Sequence, residues 1–170
     1  MTLRPDITTM RNYQYASSIR WGLSAIKLPS NLGITSSELN ARCFSTSIPK
    51  FSTEESIIEN RGNIIYQPGV TKYAGQHTFM FYETEDSLIA KFINSYKQKT
   101  WKDLSGEQEP SRNLKADLKF SLLTSMDVER EAYNMYGAWV KDYDATELGS
   151  SNSEIIKYTV TFQYDYFLRV

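Results

Sequence analysis

The last seventeen residues, Glu154 to Val170, place an apolar or aromatic side chain at every even position from Ile156 through Tyr158, Val160, Phe162, Tyr164, Tyr166 and Leu168 to Val170. Lys157, Thr159, Thr161, Gln163, Asp165 and Arg169 stand between them. A period of two with one apolar face is the pattern of a half-buried β-strand. At about 3.3 Å per residue such a strand runs roughly 50 Å if unbroken, several times the usual length. A strand this long is more than a small closed domain needs, which points to a sheet that extends or joins the sheet of another subunit.

A chain of 170 residues is long enough for one domain with a sizeable core that needs no disulfide or metal staple. Its 19 basic and 20 acidic residues nearly cancel, so no general field draws in nucleic acid or an anionic membrane. The lone cysteine, Cys43, leaves no intrachain disulfide and suits a reducing compartment. The opening residues carry no apolar run of signal-peptide length, and no later stretch has the length and apolarity of a membrane span, so the expectation is a protein made and used in the cytoplasm or exported by a route that needs no signal peptide. Twelve tyrosines favour strands and interfaces that stay wet on one side.

Along the chain, residues 1–18 read as a polar N-terminal arm and 19–170 as one β-rich domain. The segment Ile19–Leu28 alternates loosely, with Ile19, Trp21, Leu23 and Ala25 on one side, and predicts a strand. After a turn-rich patch, a second strand is expected near Glu38–Ile48, stopped by Pro49. Residues 50–74 form an extended hairpin with little core of its own, turning at Asn60-Arg61-Gly62-Asn63 and again at Pro68-Gly69. Gln76–Tyr82 alternates around His77, Phe79 and Phe81 and is a further strand. Ala116–Thr124 and Glu129–Trp139 are two more, with a loop over Lys102–Lys115 and a polar connection over Asp142–Ser153.

One helix, expected over 84–100, interrupts the strands. Thr84 is placed to cap it, Glu85 and Asp86 to complement its first turn, and Lys97, Lys99 and Lys102 its end. Leu88, Ile89, Phe92, Ile93 and Tyr96 fall on one face, so this helix packs against a sheet.

The search for chemistry is negative. The sequence has no phosphate-cradling glycine loop, nucleophile elbow, Cys-x-x-Cys or His-Glu-x-x-His. The single histidine, His77, sits in an alternating strand without the second ligand a metal or catalytic role requires. The acidic pairs Glu54-Glu55, Glu85-Asp86 and Asp142 with Asp144 read as solvated charges, and the basic residues are scattered. Neither an enzyme nor a cofactor is expected.

Arg20 to Leu28 leading into Pro29, the run Cys43-Phe44-Ser45-Thr46-Ser47-Ile48-Pro49, the Asn60-Arg61-Gly62 hairpin, and Phe79 to Glu85 running into a helix together resemble the tail tube proteins of contractile-tailed bacteriophages. Tyr136-Gly137-Ala138-Trp139, followed by an acidic loop and then Lys157 to Tyr166, is similar to that family's closing pair of strands. The resemblance spans residues 19–167 as a pattern of elements with short local matches. It implies a mainly β subunit, an antiparallel barrel or sandwich with one flanking helix, that forms hexameric rings stacked into the hollow tube of a virion tail. Implied partners are further copies of the chain, a tail sheath, baseplate proteins, and a tape measure protein and DNA in the lumen, with no membrane.

On that reading Ser56, Ile57, Ile58, Arg61, Ile64, Ile65 and Tyr66 of the hairpin are subunit-interface candidates. Lys157, Thr159, Thr161, Gln163 and Asp165, on the less apolar side of the last strand, are lumen-facing candidates. A longer polar arm, and Val140 directly after Trp139 where the family often has proline, keep open a tube-like baseplate initiator. A type VI secretion tube subunit is a related alternative, and a monomeric barrel holding a small ligand among its aromatic side chains is the alternative from another class.

Overall fold

The computed structural model describes residues 18–146 and 154–170. All but the last residue of the expected arm, and residues 147–153 of the expected polar connection, lie outside the described residues. In chain order the elements are β1 (Trp21–Lys27), α1 (Ser36–Arg42), β2 (Cys43–Thr46), β3 (Phe51–Asn60), β4 (Asn63–Tyr73), β5 (Gln76–Tyr82), α2 (Leu88–Thr100), α3 (Ser111–Leu114), β6 (Ala116–Leu123), β7 (Glu129–Ala145), β8 (Lys157–Gln163) and β9 (Tyr166–Arg169).

Seven of the strands form one antiparallel sheet in the order β1-β6-β7-β8-β5-β2, with β9 also on β7, while β3 and β4 pair only with each other. The expected barrel does not close, because β1 and β2 stand at opposite ends of this order. Instead β7 serves two wings. Its first half, through Ala138, pairs with β6 and β9, and its second half, Trp139–Ala145, pairs with β8.

The bend between the wings sits at Gly137, whose φ of 66° is left-handed and strained for any residue with a Cβ. A Cβ built there would collide with the Asp165 carboxylate. Both neighbours of this glycine are held: its N–H donates to Asp117 Oδ1 at 3.1 Å, and Asp165 is ion-paired with Lys115 at 2.7 Å.

The predicted terminal strand is real but broken at the same place. Val160, Phe162 and Tyr164 are buried, as alternation requires, but beyond Asp165 the buried residue is Phe167 while Tyr166 and Leu168 are exposed. An inserted residue flips every later side chain to the other face. The break is fastened by Asp165 N–H to Tyr136 O at 3.0 Å and by Tyr164 N–H to Gly75 O at 2.9 Å.

The expected strand at Glu38–Ile48 is instead a helix, α1, followed by the four-residue β2. Thr35 and Glu38 form a capping box: the Thr35 hydroxyl accepts from Glu38 N–H at 3.2 Å and the Glu38 carboxylate from Thr35 N–H at 2.8 Å. The main helix, α2, begins at Leu88 rather than at residue 84, because Ser87 has a left-handed φ of 54°. Thr84 does not cap it; its hydroxyl donates to Asp86, and the first-turn N–H groups of Ile89 and Ala90 donate to the Glu83 carboxylate at 3.2 and 2.8 Å. The Lys102–Lys115 segment holds the short α3, and β7 continues three residues past Asp142, where the connection was expected to begin.

The apolar face of α2 lies where its spacing puts it. Ile89, Phe92, Ile93 and Tyr96 are buried and Leu88 packs beside them, in one core cluster with Phe79, Phe81, Leu118, Phe120, Met135, Val160 and Phe162. The Tyr96 hydroxyl donates to Leu114 O at 3.0 Å, fastening α3 to α2. Leu23 is buried and Trp21 and Ala25 pack against this core, whereas Ile19, expected on the same face, is 81% exposed.

His77 belongs to the core wall rather than to any reactive site. Its Nε2 lies 2.8 Å from Thr46 Oγ1, tying β5 to β2, and its ring stands edge-on to Phe79 at 4.7 Å. Burial pushes its pKa down from 6.5 to about 4. The unfolded chain therefore binds a proton that the folded chain refuses, so stability is fully present above pH 6.5 and falls as pH drops toward 4. The loss is about 3 kcal/mol from this one group. Urea midpoints at pH 7 and pH 4.5 check this: His77→Gln narrows the gap between them, and an unchanged gap refutes it.

Candidate functional site

The strands β3 and β4 are weakly apolar, and every residue in them is exposed. They meet at a two-residue turn, Arg61-Gly62, with φ of 49° and 81°, the left-handed pair that matches the twist of a tight hairpin. Pro68 and Gly69 do not make a second turn; they lie inside β4, beside a bulge between Thr53 and Glu55. Cross-strand pairing sorts the tip into two faces. Ile57 pairs with Tyr66 and Glu59 with Ile64 on one, and Ile58 pairs with Ile65 and Ser56 with Gln67 on the other.

Ile57, Ile58, Ile64, Ile65 and Tyr66 are 43 to 63% exposed, so both faces present large apolar side chains to solvent. The hairpin's base is tied to the body by Tyr73, whose ring stands edge-on to Phe167 at 5.1 Å. An isolated two-stranded ribbon is marginal in water, and a contiguous apolar patch marks an interaction surface. Of the sequence-derived interface candidates, Ser56, Ile57, Ile58, Ile64, Ile65 and Tyr66 lie on this ribbon and Arg61 at its turn.

The second surface is the outward face of the wing β7-β8-β5-β2. His77, Phe79 and Phe81 of β5 and Val160 and Phe162 of β8 point into the core, so their neighbours point away. Thr159 pairs with Met80 and Asp144, Thr161 with Thr78 and Asp142, Gln163 with Gln76, and Lys157 with Tyr82. Thr78 and Thr161 hydroxyls are 3.3 Å apart across the strands. This face is mainly polar, with Asp142 and Asp144 at one side, Lys157 at one end, and Met80 and Tyr82 among its uncharged side chains. Lys157, Thr159, Thr161 and Gln163 lie together on it, while Asp165 stands beyond the end of β8 and is taken up by Lys115. Asp142 and Asp144, expected in a polar connection, instead lie in β7 and share this face through their pairing with Thr161 and Thr159.

The third feature, invisible in composition, is the state of the sheet edges. On β1 the outward donors are already used: Leu23 N–H donates to Asn40 Oδ1 at 2.8 Å and Ala25 N–H to Ser36 Oγ at 2.7 Å. Helix α1 therefore covers that edge with side chains. By contrast, among the described residues β2 pairs with β5 alone, and β7 from Trp139 onward pairs with β8 alone.

Among the described residues, no three His, Cys, Asp or Glu side chains are grouped to hold a metal. Burial pushes the Cys43 thiol up to about 12, which keeps it protonated and unreactive. The cavity lined by Leu114, Lys115 and Trp139 holds about 250 Å³, and a more polar one beside Ser18, Trp21 and Asn40 about 360 Å³. Among the described residues no helix is long and apolar enough to cross a membrane.

A mainly β chain with an uncovered apolar hairpin and a mainly polar outward sheet face presents surfaces of the kind that structural proteins use for interaction. The family model for phage tail tube protein matches residues 11–170, and the chain belongs to that family. A search of curated proteins finds no match. Among solved structures the chain is similar to a component of the anti-feeding prophage baseplate, with 12% identity, 93% of this chain and 97% of that one covered, and a TM-score of 0.67. It is also similar to a chain of an extracellular contractile injection system's sheath-tube complex in the extended state, with 15% identity, 98% and 99% covered, and a TM-score of 0.59. A third, the SPP1 tail tube, has 10% identity, 91% and 78% covered, and a TM-score of 0.51. At such identities these likenesses speak for the fold.

Proposed function

We propose that the chain is a subunit of a hollow tail tube, assembling with copies of itself into rings that stack along a contractile virion tail and conduct DNA toward the host. The observation that carries this reading is the wing β7-β8-β5-β2: a mainly polar outward face lying between two edges that, among the described residues, have no strand beyond them. Rolled into a ring, such wings have no edges left, which removes the aggregation hazard of open strands. The outward face then lines the lumen with Thr78, Thr159, Thr161 and Gln163, with Lys157, and with Asp142 and Asp144. A lumen without a basic stripe holds phosphates weakly, as a DNA conduit requires.

On this reading residues 19–170 make one tail-tube domain and the hairpin Ser56–Tyr66 docks on a neighbouring copy. A sheath outside the tube, a baseplate at its end, and a tape measure protein and DNA inside it are the proposed partners, in the virion tail and, during assembly, in the host cytoplasm. A baseplate tube initiator or a type VI secretion tube subunit would use the same surfaces. Solution mass by light scattering tests the proposal: rings or larger assemblies are expected, and a stable monomer at tens of micromolar refutes it.

A further inference from the structure

We infer that the wing face assigned to the lumen holds a partner of one kind: a basic amphipathic α-helix lying along the strands, its apolar side on Phe44, Met80 and Tyr82 and its lysines or arginines on Asp142 and Asp144. This rests on the tail-tube reading and deepens it by naming the surface and the chemistry of a lumen-filling protein. The face is not uniform. Gln76 and Thr78 on β5, with Thr161 and Gln163 on β8, give it amides and hydroxyls toward one end. Toward the other end β5 carries Met80 and Tyr82, each 37% exposed. A bulge between Cys43 and Ser45 of β2 brings Phe44 to the same face, where its ring stacks on that of Tyr82 at 4.0 Å.

These three side chains stand apart from the core cluster, which takes Phe79 and Phe81 from the opposite face of the same strand. Duplex DNA has no use for them, because it presents phosphates to a surrounding wall. A partner with apolar side chains does. The acids lie two strands away from the apolar band, since Met80 pairs with Thr159 and Thr159 with Asp144. Their carboxylates accept the Tyr143 and Ala145 N–H groups at 2.9 Å, and among the described residues no lysine or arginine is ion-paired with either.

Spacing selects a helix. Two strand separations put the acids about 10 Å from the band, and an α-helix with its side chains is about 10–12 Å across. Met80 and Tyr82 are two residues apart on β5, as are Asp142 and Asp144 on β7, a rise of about 6.6 Å. Residues i and i+4 of a helix rise about 6.0 Å and share a face, so one helix sets two apolar residues against the band and, on its flank, two basic residues against the acids. An extended strand matches the rise but, at about 4.8 Å per strand, reaches only one of the two rows. Lys157, paired with Tyr82, repels basic residues at its own end and keeps them on the β7 side.

The probe is a synthetic peptide that repeats the heptad Leu-Lys-Lys-Leu-Leu-Lys-Leu twice, with a benzophenone on its apolar side, added to assembled wild-type protein. Photo-cross-links are expected in the tryptic fragments that hold Phe44, Met80 and Tyr82. Fluorescence anisotropy supplies the affinities. Met80→Ser combined with Tyr82→Ser is expected to weaken binding about tenfold or more. Asp142→Asn combined with Asp144→Asn is expected to weaken it and to flatten its salt dependence. Neither pair touches the core, so thermal midpoints should stay near the wild-type value. A control peptide with serine in place of every leucine should not bind. Cross-links confined to the hairpin or to other surfaces of intact tubes, equal binding of the serine peptide, or duplex DNA held as tightly as the leucine peptide overturns the helix site and leaves the tube reading standing. A wild-type chain that forms no assemblies overturns both.

Discussion

Phe92→Ala is expected to destabilise the subunit by about 3 to 5 kcal/mol, the usual cost of truncating a fully buried aromatic side chain. Phe92 is 1% exposed, sits at the centre of the α2 face between Ile89 and Tyr96, and stands edge-on to the Tyr96 ring at 5.4 Å. Truncation leaves a hole between the helix and the sheet that the surrounding strands, fixed by their ladders, fill only in part. For a chain of this size the melting temperature should fall by about 6 to 20 °C. Lys97→Ala is the control: its ion pair with Asp103 at 3.0 Å lies between two side chains that are more than half exposed, and such pairs contribute about 1 kcal/mol or less. Thermal melts of the two variants decide the matter. An unchanged midpoint for Phe92→Ala would contradict the placement of the core.

Replacing Ser56–Tyr66 with a short Gly-Ser loop has the largest effect expected on assembly, and little on folding. None of these residues is buried and none pairs outside its own ribbon, so the core loses nothing when they go. The variant should keep its circular dichroism spectrum while long tubes disappear, because the apolar faces carrying Ile57, Tyr66 and Ile64 and, opposite, Ile58 and Ile65 are gone. Electron microscopy of the same sample gives the second readout. Tubes of wild-type length, or an unfolded chain, would each show that the hairpin is not an assembly arm.

Most of the strands were legible because a period of two survives wherever one face is buried, as in His77, Phe79 and Phe81 or Leu118 and Phe120. The helical face of α2 was legible for the same reason at a different period. What failed was punctuation. The Thr35–Glu38 capping box is a four-residue signal that a weak alternation at 38–48 obscured, and a left-handed Ser87 cannot be read from a serine codeword alone. The break at Asp165 was hidden because alternation looks unbroken when Tyr166 and Leu168, though exposed, are apolar.

The hairpin was found from its lack of a core, which is a property of sequence. The edges were not, since whether β1 or β2 is open depends on where Asn40 and Ser36 point, and only a three-dimensional arrangement settles that. The polar face was half read: Lys157, Thr159, Thr161 and Gln163 came from alternation within one strand, while Asp142 and Asp144 join them through pairing with a distant one.

A negative-stain electron micrograph of the purified full chain tests the central claim most directly. The tail-tube reading predicts end-on views of rings with a stain-filled centre and side views of stacked rings. Particles no larger than a single subunit, or solid fibrils without a central channel, would contradict it.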